Sequence, residues 1–132
     1  MKVSARRRQG YAHELTAGRH KLLIDEPEDK GGTDSGPAPS QLLALSLAGC
    51  TAVTIEMYAE VKGWDVGDLE VEVDYELKPK EGLAHFEVLV KVPAALSDEQ
   101  LERIKLIAHK CPVHRALQGE VAISDTVERV AP

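Results

Sequence analysis

The sequence predicts an α+β protein in which antiparallel sheet surrounds one long, buried central helix. Residues 41–62 contain no proline and a single glycine, and they are apolar on nearly every side. A helix that is apolar all round is buried rather than amphipathic. The segments before and after it alternate apolar and polar residues, which is the period of strands with one buried face. Because one short chain has few elements to cover such a helix, we expect a homodimer that packs two of them together.

Composition limits the class of protein. The chain has 132 residues, of which 43% are hydrophobic and 29% charged, as in a soluble protein with one domain over 1–132. Its net charge of −6 argues against nucleic acid or an anionic membrane as partner. No long apolar run follows Met1, and Ser46, Cys50, Thr51, Thr54 and Glu56 interrupt the apolar part of the central helix, so we expect a cytoplasmic protein that does not span a membrane.

Three short strands precede the central helix. Alternation places them at residues 2–8, 11–17 and 19–25, with turns at Gln9-Gly10 and Ala17-Gly18. The first of them carries a basic cluster, Lys2, Arg6, Arg7 and Arg8, which is interpreted as the solvated part of this strand. Residues 25–37 are rich in Gly, Pro, Asp and Ser and are predicted to form a loop. Proline at the helix start and Gly63 after its end are typical helix boundaries.

The second half of the chain adds a hairpin, two helices and a strand. Alternating apolar and acidic residues predict a hairpin over 69–92, with its turn at 78–82. Residues 97–110 form a predicted helix, since Ser97 and Gln100 have capping-box spacing. A short helix over 111–117 ends at Gly119, and a last strand is predicted over 120–129.

The candidate reactive groups are the two cysteines, Cys50 and Cys111. In a reducing compartment a cysteine pair is more often catalytic, redox-active or metal-binding than structural, although cysteines that only fill space are also common. Cys111 precedes Pro112 and therefore lies at a helix N-terminus, where N–H groups stabilise a thiolate. On this ground Cys111 is predicted to be the more acidic thiol. Cys50, in mid-helix, requires a cation from elsewhere, and Arg19, His20 or Arg115 are the candidates.

A metal site is the rival interpretation of the same region. His109, Cys111 and His114 are close in sequence, and Cys50 could supply a fourth ligand. Their spacing at a helix break is not a known ligand pattern. We therefore expect no metal.

The run from Gly36-Pro37 through Leu42-Leu43 leads to Gly49-Cys50, and Cys111-Pro112-Val113 opens a short helix after a hairpin. These two motifs, in this order, resemble the OsmC/Ohr family. The resemblance covers about residues 11–127, and Gly18-Arg19-His20 and Gly31-Gly32 look like an OsmC-like branch. It implies thiol-dependent hydroperoxide reduction by an intertwined homodimer with an OsmC-like fold, two long helices at its centre and sheets built from both chains.

The resemblance also implies roles for residues. Cys50 attacks the peroxide, and Cys111 resolves the sulfenic acid as a disulfide, which a dithiol reductant (lipoyl-type or a small thiol) then reduces without a cofactor. In the peroxidase branch a glutamate near the helix start holds an arginine against the thiolate, whereas Ser40 stands here. Arg19 lies in the region of that arginine, and Asp25 or Glu26 would be its anchor.

The predicted function is therefore that of a cysteine-based peroxidase acting on organic hydroperoxides or hydrogen peroxide. His20, Gln41 and Met57 are the candidate substrate-binding residues. The alternative is a non-enzymatic dimer of the same fold that binds a small apolar ligand, with packing cysteines. Ser40 favours this alternative, and the two cysteine motifs favour the enzyme.

Overall fold

The computed structural model describes residues 1–131 and confirms the α+β class. Its main elements are β1 (Val3–Gln9), β2 (Ala12–Ala17), β3 (His20–Ile24), α1 (Pro39–Lys62), β4 (Glu70–Lys78), β5 (Leu83–Lys91), α2 (Asp98–Ala108) and α3 (Pro112–Gln118). Single turns of 3₁₀ helix lie at Glu28–Lys30 and Pro79–Glu81. All predicted elements except the last strand are present, with ends shifted by one or two residues.

The strands form two antiparallel sheets. β1, β2 and β3 make a three-stranded meander in which Val3 lies opposite Ala17, with an irregularity between Arg7 and Gln9. β1 is exposed along its whole length, so the basic cluster is solvated as predicted. β4 and β5 form the hairpin, and β4 alternates half-buried and exposed residues throughout.

The chain divides into two compact units. The first contains residues 1–48 and 72–89, and the second contains residues 49–71 and those from Val90 onwards. α1 passes from the first unit into the second. Core residues of the second unit come from α1, α2 and the segment between α1 and β4: Ile55, Ala59, Val66, Ile104 and Ala108.

α1 begins at Pro39, two residues before the predicted start. The Gln41 side-chain carbonyl accepts a hydrogen bond of 2.8 Å from the Ala38 N–H, which satisfies a donor beside the first turn. The helix ends where Gly63 adopts a φ of 70°, a left-handed conformation that glycine adopts without strain. Its buried face consists of Ala44, Leu47, Thr51, Ile55 and Ala59.

The opposite face of α1 is uncovered in the single chain, which departs from the expectation of a helix buried on every side. Leu45, Val53 and Met57 are 56%, 53% and 63% exposed, and a Cβ on Gly49 would meet no atom within 4 Å. No element of residues 1–131 covers this face. By length and composition alone α1 also meets the criteria for a membrane span, a test that the core helices of soluble proteins pass as well.

The predicted last strand is wrong for the described chain. Residues 119–131 contain no helix or strand, and Val121, Ile123 and Val127 are 67%, 80% and 97% exposed. Alternation is a property of the sequence, but a strand also needs a neighbour for its N–H and C=O groups. Within residues 1–131 this segment has none.

α2 begins directly after Ser97, at the position where the sequence predicts a capping box. The Ser97 Oγ accepts from the Gln100 N–H at 3.1 Å, and the Gln100 side chain accepts from the Ser97 N–H at 2.8 Å. These two bonds are the predicted capping box. The helix buries Ile104, Ile107 and Ala108 on one face.

The loop between β3 and α1 is organised around the buried carboxylate of Asp25, which is only 2% exposed. The hydroxyl groups of Thr33 and Ser35 each donate to Oδ2 at 2.7 Å, and the backbone N–H groups of both residues and of Glu26 also donate to this carboxylate. A Cβ on Gly32 would collide with the Glu26 carbonyl oxygen, so only glycine fits this turn. The loop is therefore ordered and internally bonded.

Candidate active site

The two cysteines lie together in the second unit. Cys50 is half-buried in the middle of α1, and Cys111 is fully buried, 0% exposed, at the N-cap of α3. Pro112 occupies the first position of α3, where its missing N–H costs no bond. The thiol of Cys111 hydrogen-bonds to Cys50. Both thiols are free, so the structure places a reduced dithiol here.

Cys50 is the acidic member of this pair. Burial raises the pKa of its thiol, but three hydrogen bonds lower it, and together they outweigh burial. The donors are the Cys111 thiol, the Val113 N–H and the Thr54 hydroxyl. Hydrogen bonding to the charged form favours that form. The pKa of Cys50 therefore lies below the ordinary value of a thiol.

Cys111 is the less acidic member, because its pKa is raised, which contradicts the acidity order predicted from its position at a helix start. Burial raises the pKa of Cys111, and the hydrogen bond and negative charge of Cys50 raise it further. The expected N-terminal stabilisation is present: the His114 N–H donates to Cys111 Sγ at 3.4 Å, and the Val113 N–H also lowers the pKa. These two N–H groups together lower the pKa less than burial and the contact with Cys50 raise it. The pKa of Cys111 therefore lies above the ordinary value of a thiol.

Two donors to Cys50 were not among the predicted site residues. Thr54 lies four residues after Cys50 on α1, which places both side chains on one face of the helix. This spacing was visible in the sequence. Val113 contributes only its backbone N–H at the start of α3, and no feature of the sequence indicated that α3 would point at Cys50. Within the described chain the groups that lower the pKa of Cys50 are neutral, and the cation expected beside Cys50 stays a prediction.

The other predicted site residues are distributed over both units. Arg19 and His20 lie at the β2–β3 turn of the first unit and are exposed, and Arg19 has no hydrogen bond or ion pair within residues 1–131. Asp25, one of its expected anchors, is instead bonded to its own loop. Gln41 caps the start of α1. Met57 is exposed on α1, two turns beyond Cys50.

No group of three or more His, Cys, Asp or Glu side chains within residues 1–131 is arranged to hold a metal ion. The rings of His109 and His114 lie 5.1 Å apart, centroid to centroid. Two buried polar atoms of the second unit, Thr51 Oγ1 and His114 Nδ1, have no hydrogen-bond partner in the described chain.

The first unit contains an apolar cavity of about 780 Å³. Val3, Leu15 and Leu22 of the three-stranded sheet line one side, and Leu42 and Leu45 of α1 line the other. Its volume is within the range of small-molecule sites. This cavity is the feature that fits the alternative function of binding an apolar ligand.

Comparison with known proteins gives a consistent result. Residues 32–124 match the family model described as OsmC-like protein. An uncharacterized protein of Haloferax volcanii is 28% identical over 120 residues, covering 89% of this chain and 87% of that protein.

Solved structures are similar over nearly the whole chain. An organic hydroperoxide resistance protein OsmC from Legionella pneumophila has a TM-score of 0.64 and 26% identity, covering 89% of this chain and 88% of that one. The organic hydroperoxide resistance protein OhrB of Bacillus subtilis has a TM-score of 0.59 and 26% identity, covering 89% and 90%. An OsmC-like protein from Mycoplasma pneumoniae has a TM-score of 0.68 and 20% identity, covering 89% and 86%, which supports the fold alone.

Proposed function

Because this chain belongs to the OsmC-like protein family, we propose that it is a thiol-dependent peroxidase that reduces organic hydroperoxides or hydrogen peroxide. The observation that carries this proposal is the contact between the two thiols, which helps to lower the pKa of Cys50 and to raise the pKa of Cys111. Two similar structures are named as organic hydroperoxide resistance proteins, which supports the choice of substrate.

The proposed reaction uses both sulfurs. The Cys50 thiolate attacks the peroxide O–O bond and becomes a sulfenic acid, while the other oxygen leaves as an alcohol or water. Cys111 then attacks the Cys50 sulfur, forming a disulfide and releasing the sulfenic oxygen as water. A dithiol reductant restores both thiols, so the cycle uses no cofactor. A reducing cytoplasm would keep both thiols in the reduced state between reaction cycles.

Thiol titration tests this proposal. Wild-type protein has two thiols per chain, and one equivalent of cumene hydroperoxide is expected to remove both, because one peroxide oxidises one dithiol. Dithiothreitol should restore both, and a second addition should remove them again. A protein that still titrates two thiols after the peroxide would contradict peroxidase function.

The second candidate function is binding of a small apolar ligand by a non-enzymatic dimer. The cavity of about 780 Å³ in the first unit favours it. Ser40, which stands in place of the acidic residue of the peroxidase branch, also favours this second function. The same titration separates the two functions, since a binding protein with packing cysteines keeps both thiols.

The proposal retains Arg19 as a further catalytic residue, and His20, Gln41 and Met57 as substrate-binding residues. Arg19 and His20 are exposed in the single chain. Arg19 would therefore act on Cys50 from a second copy of the chain, adding a positive charge to the three neutral donors. Met57 shares the exposed face of α1 with Val53, where an apolar substrate could contact it.

We also propose that the protein is a homodimer built on the exposed face of α1. Leu45, Gly49, Val53 and Met57 recur at four-residue spacing and form one apolar stripe along the helix. Exposed apolar patches of this kind mark interaction surfaces. The exposed apolar residues of the segment from 119 to 131 provide a second surface that a partner chain would cover.

Substitution of Val53 tests the dimer. Sedimentation at micromolar concentration is expected to show wild-type protein at twice the 14.4 kDa chain mass. Val53→Arg is expected to sediment as a monomer, because it places a charge in the apolar stripe. Leu106→Arg is the matched control, since Leu106 on α2 is 54% exposed and Val53 is 53% exposed. A monomeric wild type, or an intact Val53→Arg dimer, would contradict this interface.

A further inference from the structure

We propose that the second unit contains a separate binding site for a small monocarboxylate with an aromatic or other apolar body. The site is a cleft of about 740 Å³ between the C-terminal end of α1 and α2. This volume is within the range of small-molecule sites. Neither Cys50 nor Cys111 lines the cleft, so this proposal does not depend on the peroxidase function.

Two cations in this cleft converge on one aromatic ring. Lys62 Nζ lies 5.8 Å from the centre of the Tyr58 ring, and Arg103 Cζ lies 6.0 Å from it. The Arg103 Nε–H also donates to the Tyr58 hydroxyl oxygen at 2.9 Å. Within residues 1–131 neither cation forms an ion pair with a carboxylate. Two positive charges therefore lie close together in the cleft without an acidic partner in contact.

The same three side chains carry hydrogen-bond donors that the described chain does not use. Arg103 bonds Tyr58 through Nε, so both of its terminal NH₂ groups are without an acceptor in residues 1–131, as is the Lys62 ammonium. The Tyr58 oxygen accepts from Arg103 and keeps its own hydrogen for another acceptor. A carboxylate suits this set of donors, because its two oxygens match the fork of an arginine and also accept from an ammonium.

The other residues of the cleft determine the body and the charge of the ligand. The Trp64 ring meets the Tyr58 ring at 74°, with the centroids 5.5 Å apart, and Leu106 is 54% exposed. These side chains provide an apolar surface beside the two cations. Glu99 and Glu102 also line the cleft, and they would repel a second negative charge. The cleft therefore favours one carboxylate on an apolar body over a phosphate or a dicarboxylate.

Trp64 provides the measurement, because it is the only tryptophan in the sequence and it lines the cleft. The probe is hydrocinnamate, a phenyl ring joined to a carboxylate by two methylene groups. Hydrocinnamate is expected to change the fluorescence of Trp64 saturably, with a Kd of about 1 mM or tighter. Its amide lacks the charge and propionate lacks the ring, so each should bind at least roughly tenfold more weakly.

Substitution of the cations tests their role. Lys62→Gln removes one charge without breaking a hydrogen bond of the described chain, and it should weaken hydrocinnamate binding roughly tenfold. Arg103→Gln should weaken binding at least as much, but it also removes the bond to Tyr58. Lys105→Gln is the matched control, because Lys105 is an exposed lysine of α2 that does not line the cleft. This control should bind hydrocinnamate as the wild type does.

The proposal is overturned if about 10 mM hydrocinnamate leaves the fluorescence of Trp64 unchanged. Equal binding of hydrocinnamate and its amide, or undiminished binding by Lys62→Gln, would also overturn it, because the carboxylate would then not be recognised by the cations. Tighter binding of phenylpropylamine than of hydrocinnamate would show that Glu99 and Glu102 dominate the cleft, which contradicts the proposed ligand class. None of these results changes the outcome expected of the thiol titration.

Discussion

Cys50→Ser is expected to abolish hydroperoxide consumption, lowering the rate at least roughly 1,000-fold, as removal of an enzyme's nucleophile does. The reason is that the three donors around Cys50 stabilise a thiolate, and a serine hydroxyl in the same place stays protonated at neutral pH. The assay follows loss of cumene hydroperoxide with dithiothreitol as reductant. Circular dichroism should show an unchanged fold, because serine is close in size to cysteine and Cys50 is only half-buried.

Asp25→Asn is expected to destabilise the protein more than any other single charge removal in the 25–37 loop. Hydrogen bonds from Ser35 and then Thr33 hold the pKa of Asp25 well below its usual value. The folded state therefore binds a proton on Asp25 less readily than the unfolded chain does. By linkage, this stability is fully present above about pH 4 and is lost as pH falls further. We expect a melting temperature at pH 7 lower by about 5 °C or more in Asp25→Asn.

The pH dependence supplies the decisive comparison for Asp25. Urea unfolding from pH 6 down to pH 2 should show a loss of wild-type stability below pH 4 that is smaller in Asp25→Asn. Asp34→Asn is the matched control, because Asp34 is an exposed carboxylate of the same loop and asparagine tolerates its φ of 54° equally well. Equal acid sensitivity in Asp25→Asn and wild type would show that the loop does not depend on this carboxylate.

Elements that depend on local signals were predictable from the sequence. The capping box at Ser97, the glycine stop at Gly63 and the alternation along β4 each lie within a few residues, and the structure contains all three. The last strand was not predictable in the same way, because pairing depends on a neighbour that residues 1–131 do not supply. The burial of Asp25 depends on Thr33 and Ser35, eight and ten residues later in a loop without periodicity.

In the candidate site too, some features were predictable from the sequence and others depend on the tertiary structure. The cysteine motifs and the resemblance they carry identified Cys50 and Cys111, and the structure places them in hydrogen-bonding contact. The order of their acidities was wrong when argued from one helix terminus. That order is set by the burial of Cys111 and by its contact with Cys50, which are tertiary properties. Thr54 at four-residue spacing was within reach of the sequence.

The sulfur that peroxide oxidises first is the central claim of this account, and trapping the sulfenic acid measures it directly. In Cys111→Ser no disulfide can form, so one equivalent of hydroperoxide with dimedone should give one adduct per chain. Peptide mass spectrometry is expected to place this adduct on Cys50. The account is contradicted if Cys111→Ser gives no adduct while Cys50→Ser is trapped at Cys111, because the thiolate would then belong to the helix N-cap and not to α1.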